Sequence, residues 1–215
     1  MSWHSHTMQA LANRGEPAPA SNEVWYWASE QVTLYSQTGV VSHTFADGMG
    51  KIRYNAPVTT MPNTLQRTSI TAVVLPVETT SIANYAFYNC TTLKDVTLQN
   101  EVVEIGQYAL SATAITAIQL PSRLTTIANN AFRAAGALAS LVFPALVETI
   151  GNLSFYQCLS LAQIDFLGTP TSIASNAFRD CSSLTTIRVP WSLGAVAGAP
   201  WGATSATIIY DYTPS

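Results

Sequence analysis

Apolar positions recur along most of the chain at a nearly constant interval. Each unit begins with an aliphatic residue. Four and five residues later come a small residue and then a large apolar one, and a short alternating apolar segment follows. The units begin at Met61, Ile82, Ile105, Ile127, Ile150, Ile173 and Val196, so successive starts are 21, 23, 22, 23, 23 and 23 residues apart. A fixed period in this range predicts a solenoid of stacked coils.

Two features inside each unit indicate what a coil contains. The large apolar column is Phe87, Leu110, Phe132, Phe155, Phe178 and Trp201, and the small column before it is Ala86, Ala109, Ala131, Ser154 and Ala177. The later segment alternates apolar and polar residues, as in Val96-Thr97-Leu98, which is typical of a strand with one buried face. We therefore expect one short strand per coil, stacked in parallel about 4.8 Å from its neighbours.

The ends of the pattern predict three parts. Residues 1–21 are small and polar and indicate a flexible lead, residues 22–57 a β-rich N-terminal cap, and residues 58–215 a solenoid of about seven coils. The last coil degenerates into Gly194, Gly198, Pro200 and Gly202, as expected of a C-terminal cap.

The predicted N-terminal cap contains four runs rich in β-branched and aromatic residues: VWYWAS, QVTLYS, VVSHTF and KIRYNAPV. Such runs read as strands, and residues 46–50 (Ala-Asp-Gly-Met-Gly) indicate a hairpin connection between the last two. Apolar area would come from Trp25, Trp27, Tyr35, Phe45 and Tyr54. An alternative is an independent carbohydrate-binding module that uses exposed Trp and Tyr.

With its columns aligned, the repeat resembles the bacterial leucine-rich repeats of the BspA-like type. Their repeat reads approximately I-x-x-x-A-F-x-x-C-x-x-L-x-x-V-x-L-P, and the resemblance covers about residues 58 to 212. Two copies carry the match most fully: Ile82, Ala86, Phe87, Cys90, Leu93, Val96 and Leu98, and then Ile173, Ala177, Phe178, Cys181, Leu184, Ile187, Val189 and Pro190. The Cys column departs from the family pattern, because it is kept only at Cys90, Cys158 and Cys181.

This resemblance implies an α/β-type solenoid, a right-handed leucine-rich repeat coil with short parallel strands. It also implies a non-enzymatic module of a secreted or cell-surface bacterial protein of host-associated microbes, one that binds a protein or a glycan in an adhesion-type role. The expected partner is a protein or glycoprotein. It carries no catalytic residues over to this chain. The alternative is a structural or assembly part, such as a phage fibre component or spacer domain, which the low charge and Thr/Ser-rich coils favour.

Composition narrows the classes of partner. Charged residues make up 10% of the chain and the formal net charge is −3, with no basic block that could grip nucleic acid. No apolar run approaches the roughly 18 residues of a membrane-spanning helix. The first residues lack the apolar stretch of a signal peptide, so a virion or cytoplasmic location stays open beside the extracellular one.

Catalytic and metal-binding patterns are missing from the sequence. There is no nucleophile elbow, phosphate loop or zinc-protease motif, so we expect neither an enzyme nor a cofactor. The three histidines, His4, His6 and His43, precede the repeats. Cys158 and Cys181 are neighbours in one column, close enough in principle for a disulfide, although buried free thiols are the simpler interpretation.

Two surfaces are candidates for ligand binding. One is the exposed face of the parallel strands, which includes Asp95, Thr97, Gln119, Asp165 and Arg188; an ion pair is expected between the last two. The other is the column six residues after the repeat aliphatic residue, which includes Tyr88, Arg133, Tyr156 and Arg179. Arg and Tyr are favoured anchor residues, and we expect the last three to stack in cation–π fashion.

Overall fold

The computed structural model describes residues 19–213, and these form stacked coils preceded by an antiparallel segment. The strands are β1 (Glu23–Trp27), β2 (Val40–Ala46), β3 (Met49–Tyr54), β4 (Thr60–Met61), β5 (Ala72–Val74), β6 (Ser81–Ile82), β7 (Asp95–Thr97), β8 (Glu104–Ile105), β9 (Thr126–Ile127), β10 (Ser140–Phe143), β11 (Thr149–Ile150), β12 (Gln163–Phe166), β13 (Ser172–Ile173), β14 (Thr186–Arg188) and β15 (Thr207–Ile209). One short 3-10 helix spans Asn63–Leu65.

Five of the seven coils contribute two strands each, not one. Two-residue strands at the repeat aliphatic positions form a six-stranded parallel sheet in the order β13-β11-β9-β8-β6-β4. The expectation of a single strand per coil was therefore wrong. These two-residue strands are too short to show an alternating pattern, so sequence periodicity does not reveal them.

The longer strands form the second wall of the solenoid. One set, β10-β12-β14-β15, pairs in parallel and in step, with Leu141 opposite Ile164 and Ile164 opposite Ile187. The other set, β5 and β7, is also parallel and belongs to the N-terminal sheet. Residues 117–119 lie between the two sets without forming a strand.

Tight turns connect the two walls. The third and seventh residues after most repeat aliphatic positions have positive φ, as at Asn130 (60°) and Ala134 (57°). Backbone N–H groups in these turns donate to carbonyls of the next coil; for example, Ala134 N donates to Tyr156 O at 2.7 Å. The solenoid is confirmed, and among the described residues its strands alternate with turns rather than with α-helices.

A continuous apolar core runs through the coils. Phe132, Phe155 and Phe178 are fully buried and stack in series, with ring centroids 5.0 and 5.4 Å apart. Phe143 and Phe166 form a second stack at 4.5 Å. No coil could bury these rings alone, so the stability of the solenoid comes from contacts between neighbouring coils.

The N-terminal strands extend the solenoid sheet. Strand β1 pairs antiparallel with β3 on one side and with β5 of the first coil on the other. The predicted hairpin joins β2 and β3, where Ala46 faces Met49 across a two-residue turn. Asp47 and Gly48 have φ of 51° and 78°, as a type I′ turn requires.

The prediction of a strand at residues 31–36 (QVTLYS) was wrong. Val32 and Leu34 are buried in alternation as a strand would bury them, yet the segment pairs with no neighbouring strand among the described residues. The alternating apolar pattern therefore indicated that one face of the segment is buried, but not that the segment belongs to a sheet. Tyr35, which was expected to add apolar area, is 56% exposed.

Some expectations fall outside residues 19–213. These are the flexible lead up to residue 18 and its two histidines, His4 and His6. Within residues 19–213, no helix has the length and apolar character needed to cross a membrane.

Candidate functional site

A groove of about 690 Å³ lies along the turns of the first four coils. Its walls combine aromatic rings, guanidinium groups and amides, and the only aliphatic side chains among them are alanines. We call it the tyrosine–arginine groove; its lining is Tyr35, Asn63, Gln66, Arg67, Tyr85, Tyr88, Tyr108, Ser111, Ala112, Arg133 and Ala134. A cavity of this size falls within the usual range for small-ligand sites.

Three tyrosines form one wall of the groove. The rings of Tyr85 and Tyr108 stack across neighbouring coils, with centroids 5.2 Å apart and planes 9° from parallel. Tyr88 meets both rings edge-on, at 5.7 and 6.0 Å. Mutual packing fixes the three rings, so a ligand would meet a preformed surface.

The backbone at two of these tyrosines is unusual for bulky residues. Tyr85 and Tyr108 have φ of 63° and 56°, in the left-handed region. The same column holds Asn130 in the next coil, and Asn is a residue that tolerates this conformation. The turn needs positive φ here, and placing tyrosine in it costs energy. Leu153 has the same conformation one coil further on, with φ of 55°, so this strain belongs to the repeat turn and is not specific to the groove.

Two arginines supply the charge of the groove. The Arg67 guanidinium lies over the Tyr88 ring at 5.7 Å, and that of Arg133 lies over Tyr156 at 4.9 Å. Arg133 also donates from Nη1 to Asn130 Oδ1 at 3.5 Å. These contacts orient both side chains without neutralising their charge.

Arg67 was missed because the predicted column began at Tyr88 and left out the first coil. Counting six residues from Met61 gives Arg67, the column of Tyr88. However, Arg67 N donates to Tyr88 O as Asn89 N donates to Ser111 O. Arg67 therefore occupies the seventh position of its coil, with φ of 58°, and its side chain contacts Tyr88 of the next coil.

Two further groove residues that the sequence analysis missed, Tyr85 and Tyr108, could have been predicted. Tyr85 and Tyr108 both stand three residues after the repeat aliphatic position, in YAF and YAL of consecutive coils. Two tyrosines repeating in one column predict a stacked pair. The fourth addition, Tyr35, comes from the segment before the solenoid, and no periodic pattern could have placed it in the groove.

The structure separates the four predicted residues of the Tyr88 column. Tyr88 and Arg133 line the groove, and Tyr156 lies directly beyond it, beneath the Arg133 guanidinium. The predicted stack is confirmed for Arg133 and Tyr156. Arg179 instead lies 3.9 Å from the Asp180 carboxylate, and its side chain is largely exposed.

The other candidate surface is the strand face, which we define as Asp95, Thr97, Gln119, Asp165 and Arg188. The expected ion pair is confirmed, since Arg188 Nη1 lies 3.6 Å from Asp165 Oδ2. Asp165 also accepts hydrogen bonds from Gln163 Nε2, and the Arg188 guanidinium lies 5.3 Å from the Tyr212 ring. Asp165 and Arg188 are thus paired within the protein, whereas Asp95 has no ion-pair partner within residues 19–213.

The groove differs from the strand face in having arginines without a carboxylate partner. Four of the six described arginines have a carboxylate oxygen within 4.0 Å: Arg53, Arg123, Arg179 and Arg188. Arg67 and Arg133 have none within residues 19–213, and no acidic residue lines the groove. The groove is therefore a positively charged site on a chain of net charge −3.

The three cysteines are free, buried thiols in the solenoid core. Each donates to a backbone carbonyl of the preceding coil; Cys158 Sγ, for example, donates to Phe132 O at 3.3 Å. Hydrogen bonding to Cys181, together with burial, raises the pKa of Cys158 well above its ordinary value. A thiol with raised pKa is a poor nucleophile. The hydrogen bond with Cys158 instead lowers the pKa of Cys181, and all three thiols are buried in the core.

The side chains of the groove offer mainly hydrogen-bond donors. Within residues 19–213, no three His, Cys, Asp or Glu side chains come together in a way that could hold a metal ion. The groove offers guanidinium groups, phenol hydroxyls and amides, which donate hydrogen bonds. It contains no carboxylate, thiol or imidazole to act as a general base or nucleophile.

Comparison with known families gives a direct match. The model of the BspA type leucine rich repeat region matches six copies over residues 59–193, which is more than half of the chain. A search of curated proteins found no significant match.

Three solved structures are similar to the chain. The leucine rich repeat protein of T. pallidum (TpLRR) is 32% identical with a TM-score of 0.56, and the match covers 66% of this chain and 70% of that one. Pneumococcal vaccine antigen PcpA is 21% identical with a TM-score of 0.50, over 80% of this chain and 48% of that one; this likeness shows the fold alone. A leucine rich cell surface protein of Faecalibacterium prausnitzii is 27% identical with a TM-score of 0.46, over 70% and 46%.

Proposed function

Because the chain belongs to the BspA type leucine-rich repeat family, we propose that it is a non-enzymatic, adhesion-type binding module of a secreted or cell-surface bacterial protein. The proposed ligand is a protein or glycoprotein of the environment, and the proposed binding site is the tyrosine–arginine groove. Leucine-rich repeat families are generally non-enzymatic binding scaffolds, which agrees with the donor-rich, base-free lining of the groove.

The observation that carries this proposal is the difference between the arginines of the two candidate surfaces. On the strand face, Arg188 forms an ion pair with Asp165. Arg67 and Arg133 of the groove have no carboxylate partner among the described residues and are held in place by aromatic rings. Aromatic residues and Arg are the types that most often dominate binding energy.

Rigidity of the scaffold supports the same proposal. The groove residues sit on turns whose backbones bond to the next coil, such as Phe87 N to Ala109 O at 2.8 Å and Leu110 N to Ala131 O at 2.8 Å. A site held by such a ladder loses little conformational entropy when a ligand binds.

A capture assay tests the proposal. The purified chain is incubated with immobilised mucosal and extracellular-matrix glycoproteins, in parallel with the variants Tyr88→Ala and Arg179→Ala. We expect the chain to be retained, Tyr88→Ala to lose most of the retention, and Arg179→Ala to behave as the unchanged protein because Arg179 lies outside the groove.

Two results would contradict the proposal. One is failure of the folded chain to bind any of these glycoproteins above background. The other is equal retention of the Tyr88→Ala variant, which would move binding away from the groove. Circular dichroism of each variant shows whether its coils are intact.

A further inference from the structure

We infer that the tyrosine–arginine groove recognises an acidic oligosaccharide, a short sugar chain whose sulfate or carboxylate groups bind Arg67 and Arg133. This inference rests on the proposed binding function and specifies the ligand class of the same site. It follows from the charge, the free donors and the apolar content of the groove, and from the spacing of its two arginines.

Charge selects an anion. The guanidinium groups of Arg67 and Arg133 are paired with no carboxylate in the described part of the chain, although the molecule carries a net negative charge. A planar guanidinium binds carboxylate, sulfate or phosphate oxygens through two parallel N–H donors. Packing against a tyrosine ring leaves the edge of the guanidinium, where these donors lie, available to a ligand.

The tyrosines supply further donors. The rings of Tyr85 and Tyr108 stack face to face. Their hydroxyl groups, at the ring edges, are left for a ligand. In residues 19–213 the hydroxyls of Tyr85, Tyr88 and Tyr108 make no hydrogen bond to the protein. The Tyr85 side chain is also 38% exposed, so its hydroxyl is reachable from solvent.

The apolar content of the groove favours a sugar chain over a peptide. Peptide anchors are usually aliphatic or aromatic side chains that bury themselves in apolar pockets. This groove has no Leu, Ile, Val, Met or Phe in its lining, and its amides, Asn63 and Gln66, suit the hydroxyl groups of a carbohydrate. A hydroxylated ligand would satisfy these groups along its whole length.

The spacing of the arginines indicates an extended ligand. Arg67 belongs to the first coil and Arg133 to the fourth, so the two are about 14 Å apart along the solenoid, at about 4.8 Å per coil. One anionic group could not reach both. A linear chain of several sugar residues with repeated anionic groups could contact both arginines and lie over Tyr88 between them.

Isothermal titration calorimetry on the full chain tests this inference with four probes. They are a heparin-derived hexasaccharide, a galacturonate hexamer, a neutral malto-hexaose, and a sulfotyrosine peptide. We expect one or both of the acidic sugars to bind, with an affinity that falls as NaCl is raised from 50 to 300 mM. The heparin and galacturonate arms distinguish sulfate from carboxylate as the recognised group.

Charge-removing variants locate the site. Arg67→Gln and Arg133→Gln are each expected to weaken binding of the acidic sugar by about ten- to a hundredfold, which is typical of a lost charged hydrogen bond. The matched control is Arg123→Gln, because Arg123 is exposed and pairs with Glu101 away from the groove. The control should change the affinity by less than about twofold.

The inference fails if the malto-hexaose binds as well as the acidic sugars, if only the sulfotyrosine peptide binds, or if Arg67→Gln and Arg133→Gln leave the affinity unchanged. Its failure is distinguishable from failure of the proposed function. If Tyr88→Ala abolishes glycoprotein capture while no acidic sugar binds, the binding module stands and its ligand class is wrong.

Discussion

At single positions, the backbone conformation of the turn limits which residues a coil can carry. Tyr85 and Tyr108 occupy a turn position that requires a left-handed backbone, and Asn130 occupies it in the next coil. For a tyrosine this conformation costs about 1–2 kcal/mol, whereas Asn adopts it more readily. Each of the three ring contacts among Tyr85, Tyr88 and Tyr108 recovers about 0.5–1.5 kcal/mol. The tyrosines therefore bring little net stability to the coil that carries them.

Replacing Tyr108 by Asn tests this balance. Relief of the backbone strain and loss of the ring stack oppose each other, so we expect the free energy of unfolding to change by less than about 1 kcal/mol. Urea titration followed by circular dichroism measures it. The control is Tyr108→Val, because a β-branched residue is poorly tolerated at positive φ and should be clearly less stable. A large loss in Tyr108→Asn would mean that the tyrosine is needed for folding.

At the scale of the element, neighbouring coils are joined by a repeated Asn–Gly contact. Asn129 Oδ1 accepts a hydrogen bond of 2.7 Å from Asn152 N, and Asn84 Oδ1 accepts an equal one from Gln107 N. The residue before each donor is a glycine. A side chain on Gly151 would put its Cβ 2.6 Å from Asn129 N, which is closer than atoms can pack.

Gly151→Ala should therefore push two coils apart. We expect a loss of about 1–3 kcal/mol in the free energy of unfolding, as for other overpacked positions. Ala174→Gly provides the matched control, because Ala174 fills the same column in the next coil and its change should cost only about 0.5–1 kcal/mol. Denaturant titration of both variants gives the comparison. Equal stability of Gly151→Ala and the unchanged protein would refute the close contact.

The N-terminal hairpin contains a second element-scale test, at His43. Its Nε2 lies 2.6 Å from the Tyr26 hydroxyl, and burial lowers the pKa of His43. The folded state then binds its proton less readily than the unfolded state does. Stability contributed by the neutral imidazole is thus complete above the ordinary histidine pKa of about 6.5 and is lost as the pH falls from there through the lowered pKa of folded His43.

We expect the melting temperature to fall between pH 8 and pH 5.5, and to fall less in His43→Gln. Glutamine can still accept the Tyr26 hydrogen bond but does not titrate, and His4 and His6 are common to both proteins. The same decrease in both proteins would show that His43 does not cause it.

The elements also show how far sequence reasoning reaches. Repetition multiplies each signal, so the core columns, the hairpin at Asp47-Gly48 and the pairing of Asp165 with Arg188 followed from periodicity and turn chemistry. The two-residue strands are too short to carry a pattern. Of the groove residues, Tyr88 and Arg133 were predicted from the sequence. Tyr35 reaches the groove through tertiary packing, which no local pattern encodes.

At the scale of the whole molecule, the repeat builds a scaffold and its exceptions build the site. Every coil contributes a similar core, and the coils are coupled mainly to their neighbours. The groove depends on residues that differ between coils, with an arginine in the first and the fourth and tyrosines in the second and third. Substitutions in the groove should therefore alter binding without unfolding the distant C-terminal coils.

Hydrogen–deuterium exchange with and without a bound ligand tests the central claim, that the groove rather than the strand face binds. The ligand is the acidic sugar or glycoprotein that binds most tightly. We predict slower amide exchange at residues 63–67, 85–89, 108–112 and 133–134, where bound ligand would cover the turns. Slower exchange confined to residues 95–97, 163–166 and 186–188 would contradict the account and assign binding to the strand face.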